Sequence, residues 1–307
     1  MKSRLVLIVV MIIFAPTLRA ADGPKPRRER TLNDILWVWG IPEGNGEADL
    51  GKGRMLATTD PAKFAQADPQ SKALILGVRN VLMAGDGLPN DLKRADELSS
   101  GVARLKRIGW ELGPDNGEGP PFVYTEKLAI LKTLKTRYPQ IEAISIDDML
   151  TAQRQKGLRP EHISTLRREL QASVPGVKMW GIVYTLNLND PALHEFLQYI
   201  DIINLWTWQA EQIPDLDRNF ATAEKLAGGR PIVLGLYMYD YSGKGRRMPR
   251  ALMELQCEKA LALAKQGRIE GIVFLAITND TDTIVWTRDW IRKVGGEPVG
   301  LGQRSAR

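Results

Sequence analysis

The feature that most restricts how this 307-residue chain can fold is an alternation repeated eight times. Short runs rich in β-branched and aromatic residues are separated by longer stretches whose apolar residues recur at helical spacing. The runs are ILWVWG (35–40), RNVLMA (79–84), RIGWEL (107–112), EAISID (142–147), KMWGIVYT (178–185), DIINLWTW (201–208), PIVLGLYMY (231–239) and EGIVFLAI (270–277). Most are almost continuously apolar, as strands covered on both faces must be. Between them, residues 126–138, 162–173 and 250–267 have helical character, with Leu128, Ile130, Leu131 and Leu134 on one face of the first. Pro160, Pro191, Pro231 and Gly267 punctuate the joints. Eight strand–helix repeats predict an α/β fold, a closed (β/α)8 barrel of the TIM type, as one domain over residues 32–295. An open doubly wound sheet is the rival, and the lack of a Gly-rich phosphate loop argues against it. The Gly-rich stretch 40–60 is expected to lie over the barrel mouth.

The ends have a different character. Lys2 and Arg4 precede an apolar run from Leu5 to Phe14, which Pro16 breaks ahead of Leu18-Arg19-Ala20. That pattern predicts a signal peptide over residues 1–20, cleaved near Ala20, and hence a secreted or periplasmic protein. The apolar run is about half the ~20 residues of a membrane span; an uncleaved anchor is the alternative. Residues 21–31 form a basic segment expected to be disordered, and residues 296–307 a flexible tail. The formal charge of +6 resides in these ends, leaving the body nearly neutral. A nucleic-acid partner is therefore not expected, since such proteins concentrate basic charge on a folded face. Cys257, the only cysteine, sits in a helical stretch and is expected to be a buried, inert thiol.

In a barrel of this kind chemistry sits at the carboxyl ends of the strands. Strand four ends in Asp147-Asp148. Because side chains alternate along a strand, Ile144 and Ile146 face the helices while Ala143, Ser145 and Asp147 face the axis. The same parity turns Gly109 and Glu111 of strand three inward. Carboxylates brought that close push their pKa values apart, giving one proton donor and one ionised partner. Asp147, Asp148 and Glu111 are thus the candidate catalytic residues. Asp148 has a second possible role as helix cap, and Glu111 as the partner of an interior arginine. Trp39, Trp110, Tyr184, Trp206, Trp208, Gln209, Tyr237, Tyr239 and Asp240 also fall at or just past strand ends and are candidates for substrate binding. Aromatic platforms and carboxylates around a barrel mouth suit glycoside hydrolysis. His162 and His194, the only histidines, lie in helical stretches, so no metal site is expected. No cofactor motif is present, and the expected partner is a carbohydrate.

The second half of the chain resembles secreted glycoside-hydrolase barrels, distantly the chitinase-like family 18. AISIDDM (143–149) is similar to that family's GIDIDWE strand, INLWTWQ (203–209) to its sixth strand, PIVLGLYMY to LGLPFYG, and GIVFLAITND (271–280) to GVMFWSLD. The resemblance implies a barrel acting on a polysaccharide or oligosaccharide. It also places the family's proton-donating glutamate at Met149, its middle aspartate at Asp147, an earlier one at Ser145, its strand-six aspartate at Gln209 and its strand-eight tryptophan at Leu275. The family's substrate-assisted mechanism therefore does not transfer residue for residue. Either Asp148 or Glu111 supplies the acid, or the barrel binds glycan without cleaving it. A carboxylate-based lyase or phosphodiesterase, with Tyr239 as base, is a third reading.

Overall fold

The computed structural model describes residues 29–42, 55–85, 87–115, 119–241 and 247–300. The expected leader, residues 21–28 of the basic segment, the middle of the Gly-rich stretch and the last seven residues of the tail lie outside the described residues. Eight parallel strands close on themselves: β1 (Leu36–Gly40), β2 (Asn80–Met83), β3 (Arg107–Glu111), β4 (Ile141–Ile146), β5 (Lys178–Tyr184), β6 (Ile202–Trp206), β7 (Ile232–Tyr237) and β8 (Gly271–Leu275), with β8 pairing back onto β1. The helices are α1 (Pro69–Leu76), α2 (Leu92–Gly101), α3 (Thr125–Arg137), α4 (Ala152–Gln155), α5 (Pro160–Ser173), α6 (Leu193–Leu197), α7 (Leu216–Ala227), α8 (Arg250–Lys265) and α9 (Thr281–Val294). The predicted single-domain (β/α)8 barrel is the observed fold. Among the described residues no helix is long and apolar enough to cross a membrane.

Local sequence explains the joints. At α1, the Asp68 side chain accepts the Ser71 N–H at 2.7 Å, Pro69 opens the helix, and Gly77 ends it at φ 76°. Asp91 caps α2 in the same way through the Arg94 N–H, at 2.8 Å. The unit after β4 departs from a simple repeat: the short α4 is inserted ahead of α5, directly after Asp147 and Asp148.

A barrel interior must be filled by side chains, and here tryptophan does much of it. Trp37 of β1 and Trp180 of β5 meet edge to face with ring centroids 5.0 Å apart. Trp206 of β6 lies across Gly235 of β7, where any Cβ would stand 2.0 Å from the indole. At Gly109 of β3, a Cβ would come within 2.7 Å of a Leu82 methyl. These glycines leave the volume that the large side chains occupy.

The floor, at the amino ends of the strands, is sealed by polar contacts. The Arg107 guanidinium stands 4.6 Å from the centroid of the Trp37 ring and pairs with Glu142. The Asn80 amide donates to the Leu36 carbonyl at 2.7 Å. Both ends of the folded body meet on this floor. Arg30 donates to the Glu270 carboxylate at 2.8 Å and to its carbonyl at 2.9 Å. The Val299 N–H donates to the Arg30 carbonyl at 3.0 Å, and Val299 is buried. Ordered contacts thus extend a few residues beyond 32–295 at each end.

Replacing Gly235 by Ala tests the interior. The added methyl collides with the Trp206 ring, and such overpacking costs about 1–3 kcal/mol. The Gly235→Ala variant is expected to melt several degrees below the parent, with an altered tryptophan emission; an unchanged melting curve would contradict this account of the packing.

Candidate active site

Alternation along the strands aims Trp39, Glu111, Tyr184, Trp206, Tyr237 and Leu275 toward the axis at the carboxyl ends, with register pairs Trp39↔Leu275, Tyr184↔Trp206 and Tyr237↔Leu275 tying them together. All of these but Glu111 line a cavity of about 560 Å³ at the mouth, within the range of small-molecule sites. Its wall includes Trp39, Asp147, Asp148, Tyr184, Trp206, Trp208 and Tyr237 among the predicted residues. Ile182 and Leu275 supply apolar surface, and Tyr241, Thr151, Gln155 and Gly85 complete the polar side.

The two aspartates form its polar centre. β4 ends at Ile146, and the chain turns sharply through Asp148, whose φ of 47° places a non-glycine residue in the left-handed region. That conformation costs on the order of 1 kcal/mol and is held by its surroundings. The Asp148 carbonyl accepts the Thr151 and Gln153 N–H groups, both at 3.0 Å, which start the turn into α4. Its side chain, instead of capping that helix through backbone N–H groups, accepts the Thr151 hydroxyl at 2.9 Å and the Tyr184 hydroxyl at 3.0 Å. The Asp148 N–H donates to Asp147 Oδ1 at 2.8 Å, and the Tyr184 hydroxyl lies 3.4 Å from that same oxygen.

Burial pushes the Asp147 carboxyl well above the usual carboxylate range, and the negative charges of Glu111 and Asp148 push it further. The bonds from the Asp148 N–H and the Tyr184 hydroxyl oppose this without reversing it. Burial likewise raises the Tyr184 and Tyr237 hydroxyls, with the Asp147 charge as second cause, so both are neutral donors at ordinary pH. Glu111 accepts the Gly85 N–H, which ties β3 to the loop after β2. Its charge reaches Asp147, although its side chain is not on the cavity wall.

The rings form a continuous file. Trp39 meets Trp206 at 5.6 Å, Trp206 meets Tyr237 at 5.1 Å, and Tyr237 meets Tyr241 at 5.2 Å, all edge to face. Trp208 tilts over Tyr184 at 5.4 Å and is 41% exposed, so one face of its ring stands at the rim.

Four of the predicted binding residues are placed elsewhere. Trp110 lies between inward-facing Gly109 and Glu111, so it points into the helical layer, where it is fully buried. Gln209 begins a helical turn and accepts a hydrogen bond from Gln212 at 2.6 Å. Tyr239 is buried against the Tyr241 ring, and neither it nor Asp240 is on the cavity wall. Conversely, Tyr241 was missed, although the Tyr237-x-Tyr239-x-Tyr241 spacing signals it. Thr151 and Gln155 were missed too; their spacing of four after the aspartate pair puts both on one side of the turn that follows. Met149 is fully buried and off the wall.

No family model matches the sequence, and no curated protein matches it. Solved structures with this architecture include the family GH99 endo-alpha-mannosidase from Bacteroides thetaiotaomicron, solved in complex with BIS-TRIS-propane. It is 11% identical with a TM-score of 0.54, over 86% of this chain and 98% of that one. A family 18 chitinase from Crocus vernus matches at 12% identity and a TM-score of 0.48, over 84% and 98% of the two chains. The 3-dehydroquinate dehydratase from Geobacillus kaustophilus matches at 12% and 0.43, over 87% and 97%. At such identities the likeness is one of fold. The chain is a TIM-type barrel, an architecture that glycoside hydrolases share with enzymes of other chemistries.

The position of Asp147 has a consequence for stability. Its folded-state pKa is above its unfolded value of ~3.9, so between the two the folded state binds the extra proton and loses stability as pH rises. Asp147→Asn removes that loss. The variant is expected to melt a few degrees higher than the parent at pH 7, with the difference vanishing as the pH falls toward ~4. A lower melting point for the variant at pH 7 would show that Asp147 is stabilised there as an anion.

Proposed function

We propose that this protein is an exported glycoside hydrolase acting on a polysaccharide or oligosaccharide. The observation that carries this reading is the unlike pair at the cavity's centre: Asp147, whose carboxyl is raised well above the usual carboxylate range by burial and neighbouring charge, beside Asp148, whose side chain accepts the neutral Thr151 and Tyr184 hydroxyls. Two carboxyl groups in different environments are what acid–base cleavage of a glycosidic bond needs. In this reading Asp147 gives its proton to the leaving oxygen as the bond to the anomeric carbon breaks. Asp148 stabilises the positive charge that develops on the ring. Water then adds to that carbon, and the proton it gives up restores the acid. Glu111 acts from behind the wall by keeping the proton on Asp147.

The file of rings supports a sugar ligand. Pyranose rings present apolar C–H faces, which Trp39, Trp206, Trp208, Tyr184 and Tyr237 are suited to cover. The amino-terminal leader supports export. A glycan-binding barrel without turnover would use the same rings, and it leaves the raised pKa of Asp147 without a purpose.

The test is reducing-sugar release from a panel of neutral and amino polysaccharides by residues 21–307, with Asp147→Asn and Asp148→Asn alongside. Each variant is expected to lose on the order of 10²–10⁴ in kcat, the usual size of a general acid–base contribution. Full turnover by Asp147→Asn removes it as the acid. Release from no polysaccharide by a folded parent leaves the binding barrel as the better description.

A further inference from the structure

The charge balance of the cavity narrows the ligand further. Its described wall carries two carboxyl groups and six aromatic rings and no lysine, arginine or histidine. Half-buried aspartates elsewhere in the protein are commonly matched by a cation: Asp34 by Lys106 at 2.8 Å, Asp201 by Arg167 at 2.8 Å, and Asp280 by Arg247 at 2.9 Å. Asp147 and Asp148 have no ion-pair partner among the described residues. Two described basic side chains toward the carboxyl ends of the strands are turned to other acids. Arg154 of α4 pairs with Asp190, and Arg247 takes Asp280 and Asp282 together. A negative site without a counter-ion among the described residues favours a ligand that brings one.

We propose that the cavity takes a cationic sugar, a glycan whose residues carry free amino groups, with an ammonium held between the Asp148 carboxylate and the Tyr184–Trp208 faces. This rests on the sugar-binding reading above and names its substrate class. Tyr184 is the hinge of the arrangement, since its hydroxyl donates to Asp148 at 3.0 Å while its ring packs at 5.4 Å from Trp208. An ammonium against an aromatic face gains from the ring's negative quadrupole, most of all where water is scarce. An inorganic divalent ion is less suited, because among the described residues no group of three or more His, Cys, Asp or Glu is placed to hold one. The same charge works against uronic acids and sulfated or phosphorylated sugars, which would meet Asp148 with no cation on the wall to receive them. Once bound, an ammonium beside Asp148 offsets part of the charge that keeps the proton on Asp147, so the acid becomes a better donor in the complex than in the free protein.

Binding of three hexamers to the full protein, read by calorimetry or tryptophan fluorescence at low salt and pH 7, tests this. They are the glucosamine oligomer with every amino group free, its fully N-acetylated counterpart, and oligogalacturonate. The free-amine oligomer is expected to bind at least tenfold more tightly than the acetylated one, with no binding of the galacturonate. The folded Asp148→Asn variant is expected to lose the preference while keeping residual affinity for both. Equal binding of the two glucosamine oligomers, tighter binding of the galacturonate, or no binding of the free amine overturns the proposal. Preference for the amine without cleavage keeps it and removes the hydrolase reading. Cleavage of a neutral glycan without amine preference does the reverse.

Discussion

Closing eight strands into a ring creates an interior that must be filled without a void, and the rest of this structure follows from how that is done. Here large rings are set against glycines. Trp37 and Trp180 cross the middle of the barrel, while Trp206 rests on Gly235 because that position has no side chain. One layer up, this choice becomes the site. The ring that completes the packing, Trp206, is also the ring that Trp39 and Tyr237 lean on to form the aromatic wall. Packing and recognition are therefore one continuous body of side chains, and a change in the interior reaches the cavity through direct contact.

The carboxylate centre depends on the same rigidity. Asp148 holds a backbone conformation that a non-glycine residue rarely adopts, and it is kept there by the hydrogen bonds that begin α4 and by the Tyr184 hydroxyl. The turn serves to present two adjacent carboxyl groups to one cavity, which a continuing strand would send to opposite faces. Asp147 keeps the inward direction of β4, and the turn brings Asp148 alongside it. Burial of Asp147 and the charges beside it then raise its carboxyl well above the usual carboxylate range.

Most of the architecture was legible in the sequence because a barrel strand is covered on both faces and so is written as a nearly unbroken apolar run. The predicted runs contain seven of the eight observed strands entirely, and β4 begins one residue early, at Ile141. Strand parity also turned Asp147 and Glu111 toward the axis, while Trp39, Tyr184, Trp206 and Tyr237 were candidates only because they fall at strand ends. The candidates that lie off the cavity wall do so, Trp110 apart, for one physical reason: parity holds only while the chain is extended. Trp110 is within β3, and the rule itself turns it outward, so including it among the binding residues set the presence of a ring above its direction. Gln209, Tyr239 and Asp240 lie past the strand ends, where the backbone turns and a period of two no longer predicts direction. Gln155 belongs to the short inserted α4 and Thr151 directly precedes it, and four helical residues are too few to leave a periodic signal.

Both ends of the described body are joined on the barrel floor, opposite the cavity. Arg30 bonds Glu270, and Val299 bonds Arg30. Ends that lie together on a surface away from the working face suit the chain to circular permutation, with a short linker joining residues 30 and 300 and new ends opened in an exposed helix–strand turn. They also mean that a support or fusion partner attached at either end would hold the barrel by its base, leaving the mouth facing outward toward a polymer too large to diffuse to it.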